Sequence, residues 1–214
     1  MVEPPRSLEG LAMFPLGQVL LPTTAMELHV FEPRYRQLVI DCLGSDSDPP
    51  EFGTVLIARG SEVGGGDQRT STGVVAEMRQ VQALDGGRYA LLAVGVRRIR
   101  VIDWLQDDPY PRARVEEWPD TDIGDPDLVR LLAATRQRAE ALRRLMQGTD
   151  RAPELGLLVC DAAPEVAVYQ IAAQVPIGPS DRLGLLSAPS IKERLARLER
   201  ALDDLESVLR FGLT

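Results

Sequence analysis

The hydrophobic rhythm of the chain changes near position 119. Before it, apolar residues fall in short runs and alternations; after it, they recur every three or four positions. In the first half, Leu11 to Leu16 and Met26 to Phe31 read as strands, punctuated by Gly17, Pro22 and the Thr23–Thr24 pair. Glu32–Pro33 suits a helix entry, because proline's φ is already helical at the first turn. Tyr35, Leu38, Val39 and Cys42, spaced by three or four, give that helix a buried face, and Gly44 ends it. A polar loop over 45–50 leads to a β-rich run, Phe52 to Ala58. Residues 60–73 read as a loop with Gly64, Gly65 and Gly66 at its tip. Val74 to Leu84 is a strand, Asp85–Gly86–Gly87 a hairpin turn and Arg88 to Val94 the returning strand. Gly95 is expected to separate it from a further strand, Val96 to Trp104, and Arg112 to Trp118 is the last.

Beyond Trp118 the acidic, turn-rich stretch 119–126 reads as a linker. Asp125–Pro126 caps a helix that would bury Leu128, Leu131, Leu132, Ala139, Leu142, Leu145 and Met146. After a break from Gly148 to Pro153, shorter helices span 164–174 and 180–186, split by Pro176, Gly178 and Pro179. Ser190, with Glu193 three residues on, has the pattern of a capping box. Leu195, Leu198, Leu202, Leu205 and Leu209 then form an apolar seam, expected to pack on the chain's own helices. The expected fold class is α+β. A flexible N-terminus (1–10) precedes a barrel-type β subdomain (11–118), and an acidic linker (119–126) leads to an α-helical subdomain (127–214).

Composition narrows the chemistry. The net charge of −8 disfavours nucleic acid and anionic lipid as partners. No apolar run approaches a membrane span, and the N-terminus lacks a signal peptide's basic flank and apolar core. Cys42 and Cys160, far apart and in no CxxC spacing, read as reduced thiols in a cytoplasm. His29 is the only histidine, so a histidine metal cluster and a Gly-x-Ser-x-Gly triad are both unsupported; it reads as a structural or surface residue. Asp120 and Asp122 hint at a calcium loop, but no glutamate stands at the twelfth position, and helix caps account for them better. Arg97, Arg98 and Arg100 are the basic cluster of the first half, expected as exposed strand arginines paired with acids.

The string FPLGQVLLPTTAMELHVFEPRYRQLV, Phe14 to Val39, resembles the opening signature of the N-terminal substrate-binding domain of Lon proteases. The likeness continues through Phe52 to Gly64, Gly73 to Met78 and Gly87 to Val101, and returns from Tyr169 to Leu198. It implies a PUA-like barrel followed by a helical subdomain. Full Lon proteases add an ATPase and a serine–lysine peptidase, but this sequence holds no Gly-x-x-x-x-Gly-Lys-Ser/Thr loop. The only lysine, Lys192, sits in the first turn of a predicted helix, a place for a solvated charge rather than a catalytic base. No catalytic residue, metal or cofactor is therefore expected.

The resemblance implies a non-enzymatic protein- or peptide-binding domain, an adaptor or holdase, with unfolded or client polypeptides as partners and a separate protease as a further one. Such a role needs exposed apolar surface or an open strand edge. The candidate peptide-binding residues are Phe14, Leu21, Pro22 and Met26 around the Leu20 to Met26 loop. Arg34 and Arg36 join them at the head of the first helix, where Arg34 is also expected to pair with Glu32 and Tyr35 to pack. The rival reading is a small-molecule or RNA sensor on the same fold.

Overall fold

Pro33 and the stripe behind it produce the first helix as the pattern predicts. In the computed structural model α1 (Pro33–Leu43) buries Tyr35, Leu38, Val39 and Cys42, and ends at Gly44. The structure describes residues 6–60, 66–146 and 163–212, with side chains as far as 210. Cys160, Gly64, Gly65 and the predicted break from Gly148 to Pro153 lie outside these. The chain divides into two units, Met1–Pro119 and Asp120–Thr214.

The first unit holds an antiparallel sheet of six strands: β1 (Ser7–Ala12), β2 (Ala25–Val30), β3 (Glu51–Arg59), β4 (Gln68–Leu84), β5 (Arg88–Trp104) and β6 (Arg112–Glu117). The order along the sheet is β1-β6-β5-β4-β3, and β2 is an extra strand on β5. Long β5 pairs with β4 on one side; on the other it pairs first with β2, at Tyr89 to Val94, and then with β6, at Ile99 to Trp104. The strands do not close into a continuous barrel ladder. β1 and β3 end the path, and isolated parallel bridges, Met13 to Gly53 and Leu16 to Leu56, join the segment after β1 to β3. Met13, Val55, Val75, Ile99, Ala113 and Val115 form a core cluster inside this sheet.

Four strand boundaries differ from the pattern. β1 begins at Ser7, inside the segment read as a flexible terminus, because Ser7 and Leu8 find ladder partners in Glu116 and Val115. Residues 13–16, read as strand, make only the two bridges. β4 begins at Gln68, inside the expected loop; Thr72 and Gly73 pair with Arg100 and Ile99, so Gly73 permits close approach instead of breaking the strand. Gly95 likewise does not divide β5. The register slips by one residue between Val75, opposite Arg97, and Ala76, opposite Gly95, which makes a bulge there.

The arginines of β5 split by face. Arg97 meets Glu51 at 2.7 and 2.8 Å and Glu117 at 2.8 Å, the acid pairing expected of it. Arg98, expected exposed, is buried. Its Nε donates to the Trp118 carbonyl at 2.9 Å, and its guanidinium lies 4.3 Å over the indole, so aromatic face and carbonyl replace water. Arg100 covers the same ring at 3.3 Å.

The second unit comprises α2 (Asp127–Met146), α3 (Pro164–Ala173), α4 (Pro179–Leu186) and α5 (Ile191–Gly212). α2 buries Leu128, Thr135, Ala139, Leu142, Arg143 and Met146. Leu145, expected in the stripe, is 51% exposed, because it falls one position off the row from Leu128 through Leu142 to Met146. Lys192 reaches Asp127 and Arg138 reaches Asp203, both across the same separation of 65 residues, so α2 and α5 run parallel. The α5 seam packs on α2, α3 and α4 of its own chain.

The start of α5 is capped twice. Ser190 Oγ accepts from the Glu193 N–H at 3.2 Å, while Asp122 accepts from the Ile191 and Lys192 N–H groups at 2.8 and 2.9 Å. Burial works against a charged Asp122, but these two donors hold its carboxyl below the usual aspartate range. Asp122→Ala is expected to cost about 1–2 kcal/mol, read as a lower urea midpoint. A depressed carboxylate stabilises above its unfolded pKa, and this contribution is lost as pH falls through the folded value. The wild-type advantage over Asp122→Ala should therefore shrink on acidification below about pH 4. A difference between the two proteins that does not change with pH would refute the cap.

Candidate functional site: a groove along the open edge of β2

Leu28 and Val30 of β2 point into the core, and Glu27 and His29 point outward. Phe31 continues the outward row and stands 54% exposed, an uncovered aromatic at the strand's end. β2 pairs with β5 on one side, and among the described residues no ladder occupies its other side. A cavity of about 240 Å³ lies there. One wall is Phe14, Leu16 and Gln18; the other is the run from Glu27 to Phe31, with Glu32 and Tyr35 of the α1 entry at the end. Consecutive strand residues face opposite ways, so a cavity bordered by five in a row meets the strand on its edge. On the outward sheet face a broader trough of about 320 Å³ adjoins β2. There Glu27, Leu92 and Gln80 form one cross-strand row, and His29, Ala90 and Gln82 the next.

The groove floor is aromatic. Phe14 stacks on Tyr35 with ring centroids 4.1 Å apart and meets Phe52 at 6.1 Å. Burial pushes the Tyr35 phenol up to about 12, with Arg34 pulling the other way, so the ring stays neutral. Burial, with Asp41's charge adding to it, pushes the Cys42 thiol up to about 12, which leaves it without thiolate character.

The candidate peptide-binding residues separate on this geometry. Phe14 lines the groove although it is buried. Leu21 is fully buried and Pro22 is buried, so neither offers the exposed apolar surface sought in that loop; Met26 is half-buried. The loop folds under because Thr24 Oγ1 donates to the Leu21 carbonyl at 2.7 Å and accepts the Leu21 N–H at 3.2 Å. The Thr23 N–H donates to the Gly95 carbonyl at 2.7 Å, and the Gly95 N–H to the Thr24 carbonyl at 3.0 Å. Arg34 donates to Glu32 at 3.1 Å and lies 4.5 Å over the Tyr35 ring, so it supports the groove's end. Arg36 lies against the hairpin turn at Gly87. Phe31 was missed, although alternation from Leu28 and Val30 places it on the outward face.

Elsewhere the chemical candidates are engaged. Lys192 sits between Asp125, at 2.6 Å, and Asp127, at 3.4 Å, and these bonds raise its pKa, opposite to the need of a lysine base. Asp120 binds Arg194 at 2.6 Å. Among the described residues no group of three or more His, Cys, Asp or Glu side chains could hold a metal ion, and no helix is long and apolar enough to cross a membrane.

An antiparallel sheet plus helices, with a surface groove on a strand edge, defines the class: an α+β domain. The chain belongs to the family described as the ATP-dependent protease La (LON) substrate-binding domain, whose model matches residues 10–204. It is 28% identical over 196 residues to Lon protease 2 of Sorangium cellulosum, covering 87% of this chain and 24% of that protein. Against Lon protease 1 of Herpetosiphon aurantiacus it is 23% identical over 216 residues, 95% of this chain and 25% of that protein. It thus spans about a quarter of these relatives. The crystal structure of a Lon N-terminal domain protein from Xanthomonas campestris superposes with a TM-score of 0.65 at 26% identity, covering 90% of this chain and 98% of that one. The N-terminal domain of Mycobacterium avium complex Lon protease gives 0.63 at 19% identity, covering 92% and 99%, a likeness of fold.

Proposed function

We propose that this chain is a non-enzymatic polypeptide-binding domain that takes unfolded or client segments in the groove beside β2, as an adaptor or holdase. The observation that carries the reading is the exposed Phe31 at the rim of a groove with an aromatic floor, on a strand edge that has no ladder partner among the described residues. An uncovered aromatic supplies binding area, and an open edge supplies main-chain hydrogen bonds. Phe14 and Met26 remain candidate contacts, Arg34 supports the groove from the α1 entry, and Arg36 lies beyond it at the hairpin turn. The proposed setting is a cytoplasm, where the thiol of Cys42 stays reduced, with a separate protease as a further partner.

The rival sensor reading draws less support. The cavity of about 240 Å³ is smaller than the roughly 300–1,000 Å³ of small-molecule sites, and the trough of about 320 Å³, at the bottom of that range, spreads over the outward sheet face among the exposed Glu27, His29, Gln80 and Gln82. An RNA track on this sheet would need Arg97 and Arg98, and these are taken by Glu51, Glu117 and Trp118.

Fluorescence anisotropy with a labelled, permanently unfolded polypeptide tests the proposal. Micromolar binding is expected, and Phe31→Ala should weaken it by about tenfold, the loss of one aromatic contact worth about 1–2 kcal/mol. Because Phe31 is half exposed, its removal should leave the unfolding midpoint nearly unchanged. An undetectable wild-type complex at high micromolar protein would remove the reading.

A further inference from the structure

We infer that the polypeptide binds as an added antiparallel or parallel strand on the free edge of β2, and that Glu27 selects segments carrying a basic residue beside apolar ones. This inference rests on the polypeptide-binding reading above and goes beyond it by naming the conformation and charge of the client.

Alternate residues of a strand direct their N–H and C=O groups to opposite sides, so half of β2's residues aim theirs away from β5 and into the groove. These main-chain groups recognise any extended backbone without regard to sequence. The incoming strand's side chains then alternate between two environments. Those on the core side meet Phe14 and Leu16, which favour an apolar residue. Those on the outward side continue the rows led by Glu27 and His29. Glu27 is exposed, and among the described residues no ion pair or hydrogen bond engages its side chain, in contrast to Glu32, Glu51 and Glu117. A lysine or arginine opposite Glu27 forms a cross-strand charge pair, whereas an acidic residue there is repelled, within a chain already at −8. Phe31, the next outward position beyond His29, adds an apolar contact on the same face.

The test uses the full chain and labelled probe peptides of alternating valine and threonine with one central lysine, glutamine or glutamate. Two further lysine probes carry N-methyl groups on one or the other alternate set of amides, which removes the donors of a single strand edge. The lysine probe is expected to bind about threefold tighter than the glutamine probe, with the glutamate probe weakest. Glu27→Gln should abolish the lysine–glutamine difference while still binding both. Methylation of one alternate set should reduce binding more than tenfold, and methylation of the other set should not. Equal behaviour of the two methylated sets overturns strand addition; equal binding of the lysine and glutamate probes overturns the role of Glu27. If no unmethylated probe and no unfolded polypeptide binds the wild-type chain, the polypeptide-binding reading falls as well, an outcome distinct from either of these.

Discussion

Replacing Arg194 with alanine is expected to destabilise the helical unit by about 3–5 kcal/mol, the largest single effect in this chain. Arg194 is fully buried in the first turns of α5. Its two terminal nitrogens meet Asp120 at 2.9 and 2.6 Å, its Nε donates to the Leu185 carbonyl at 3.2 Å, and its guanidinium lies 4.3 Å over the Tyr169 ring. Alanine removes the planar fork and leaves the Asp120 carboxylate, itself mostly buried, without this counter-charge. Breaking one side of such a pair costs more than replacing both partners with apolar groups, so Arg194→Met with Asp120→Leu should be the milder change. Lysine should fail to rescue, because a point charge cannot span two carboxylate oxygens and a carbonyl together. Urea unfolding followed by far-ultraviolet circular dichroism reads these differences; a loss under about 1 kcal/mol for Arg194→Ala would show that the fork is dispensable.

The second large effect is expected at Gly95. A β-carbon there would stand 2.4 Å from the Leu21 carbonyl oxygen and 3.0 Å from its carbon, both backbone atoms that no rotamer change can move. Gly95→Ala should therefore cost about 3 kcal/mol, at the upper end of overpacking penalties. It should also displace the Leu21–Thr24 turn, where Thr23 already holds a φ of 65° between two hydrogen bonds to Gly95. Since that turn leads directly into β2, polypeptide binding should weaken together with stability. Gly184→Ala is the matched control: a β-carbon on α4 there meets nothing within 4 Å, and the change should be neutral or stabilising by up to about 1 kcal/mol. Similar losses at both positions would mean that the close approach at Gly95 carries no weight.

The helices were legible because their signals are local. Pro33 and Gly44 bracket α1, Ser190 caps α5, and the three-and-four spacing marks most buried positions before any tertiary contact is known. The hairpin at Asp85–Gly86–Gly87 was legible for the same reason, its glycines taking φ of 75° and 68°. What failed depends on partners distant in sequence. Ser7 and Leu8 become strand only because Glu116 and Val115 lie opposite, and glycines at 73 and 95 look like breakers until a crossing carbonyl explains them. Arg98 looked exposed because nothing in its own strand announces the Trp118 ring and carbonyl. The groove was half legible. Phe14 borders the groove, whereas Leu21 and Pro22 are buried although their loop shows no periodicity, because a side chain such as Thr24 can satisfy the backbone of a buried non-periodic loop. Phe31 needed only the alternation of β2 carried one residue further.

Occupation of the β2 edge by a polypeptide is read out by amide hydrogen exchange, measured with and without saturating unfolded polypeptide. Added main-chain hydrogen bonds slow exchange at the donors they engage. Slower exchange is predicted at alternate amides between Ala25 and Phe31, while the helices of the second unit keep their rates. Protection confined to other segments, with β2 unchanged in a demonstrably bound complex, would contradict it.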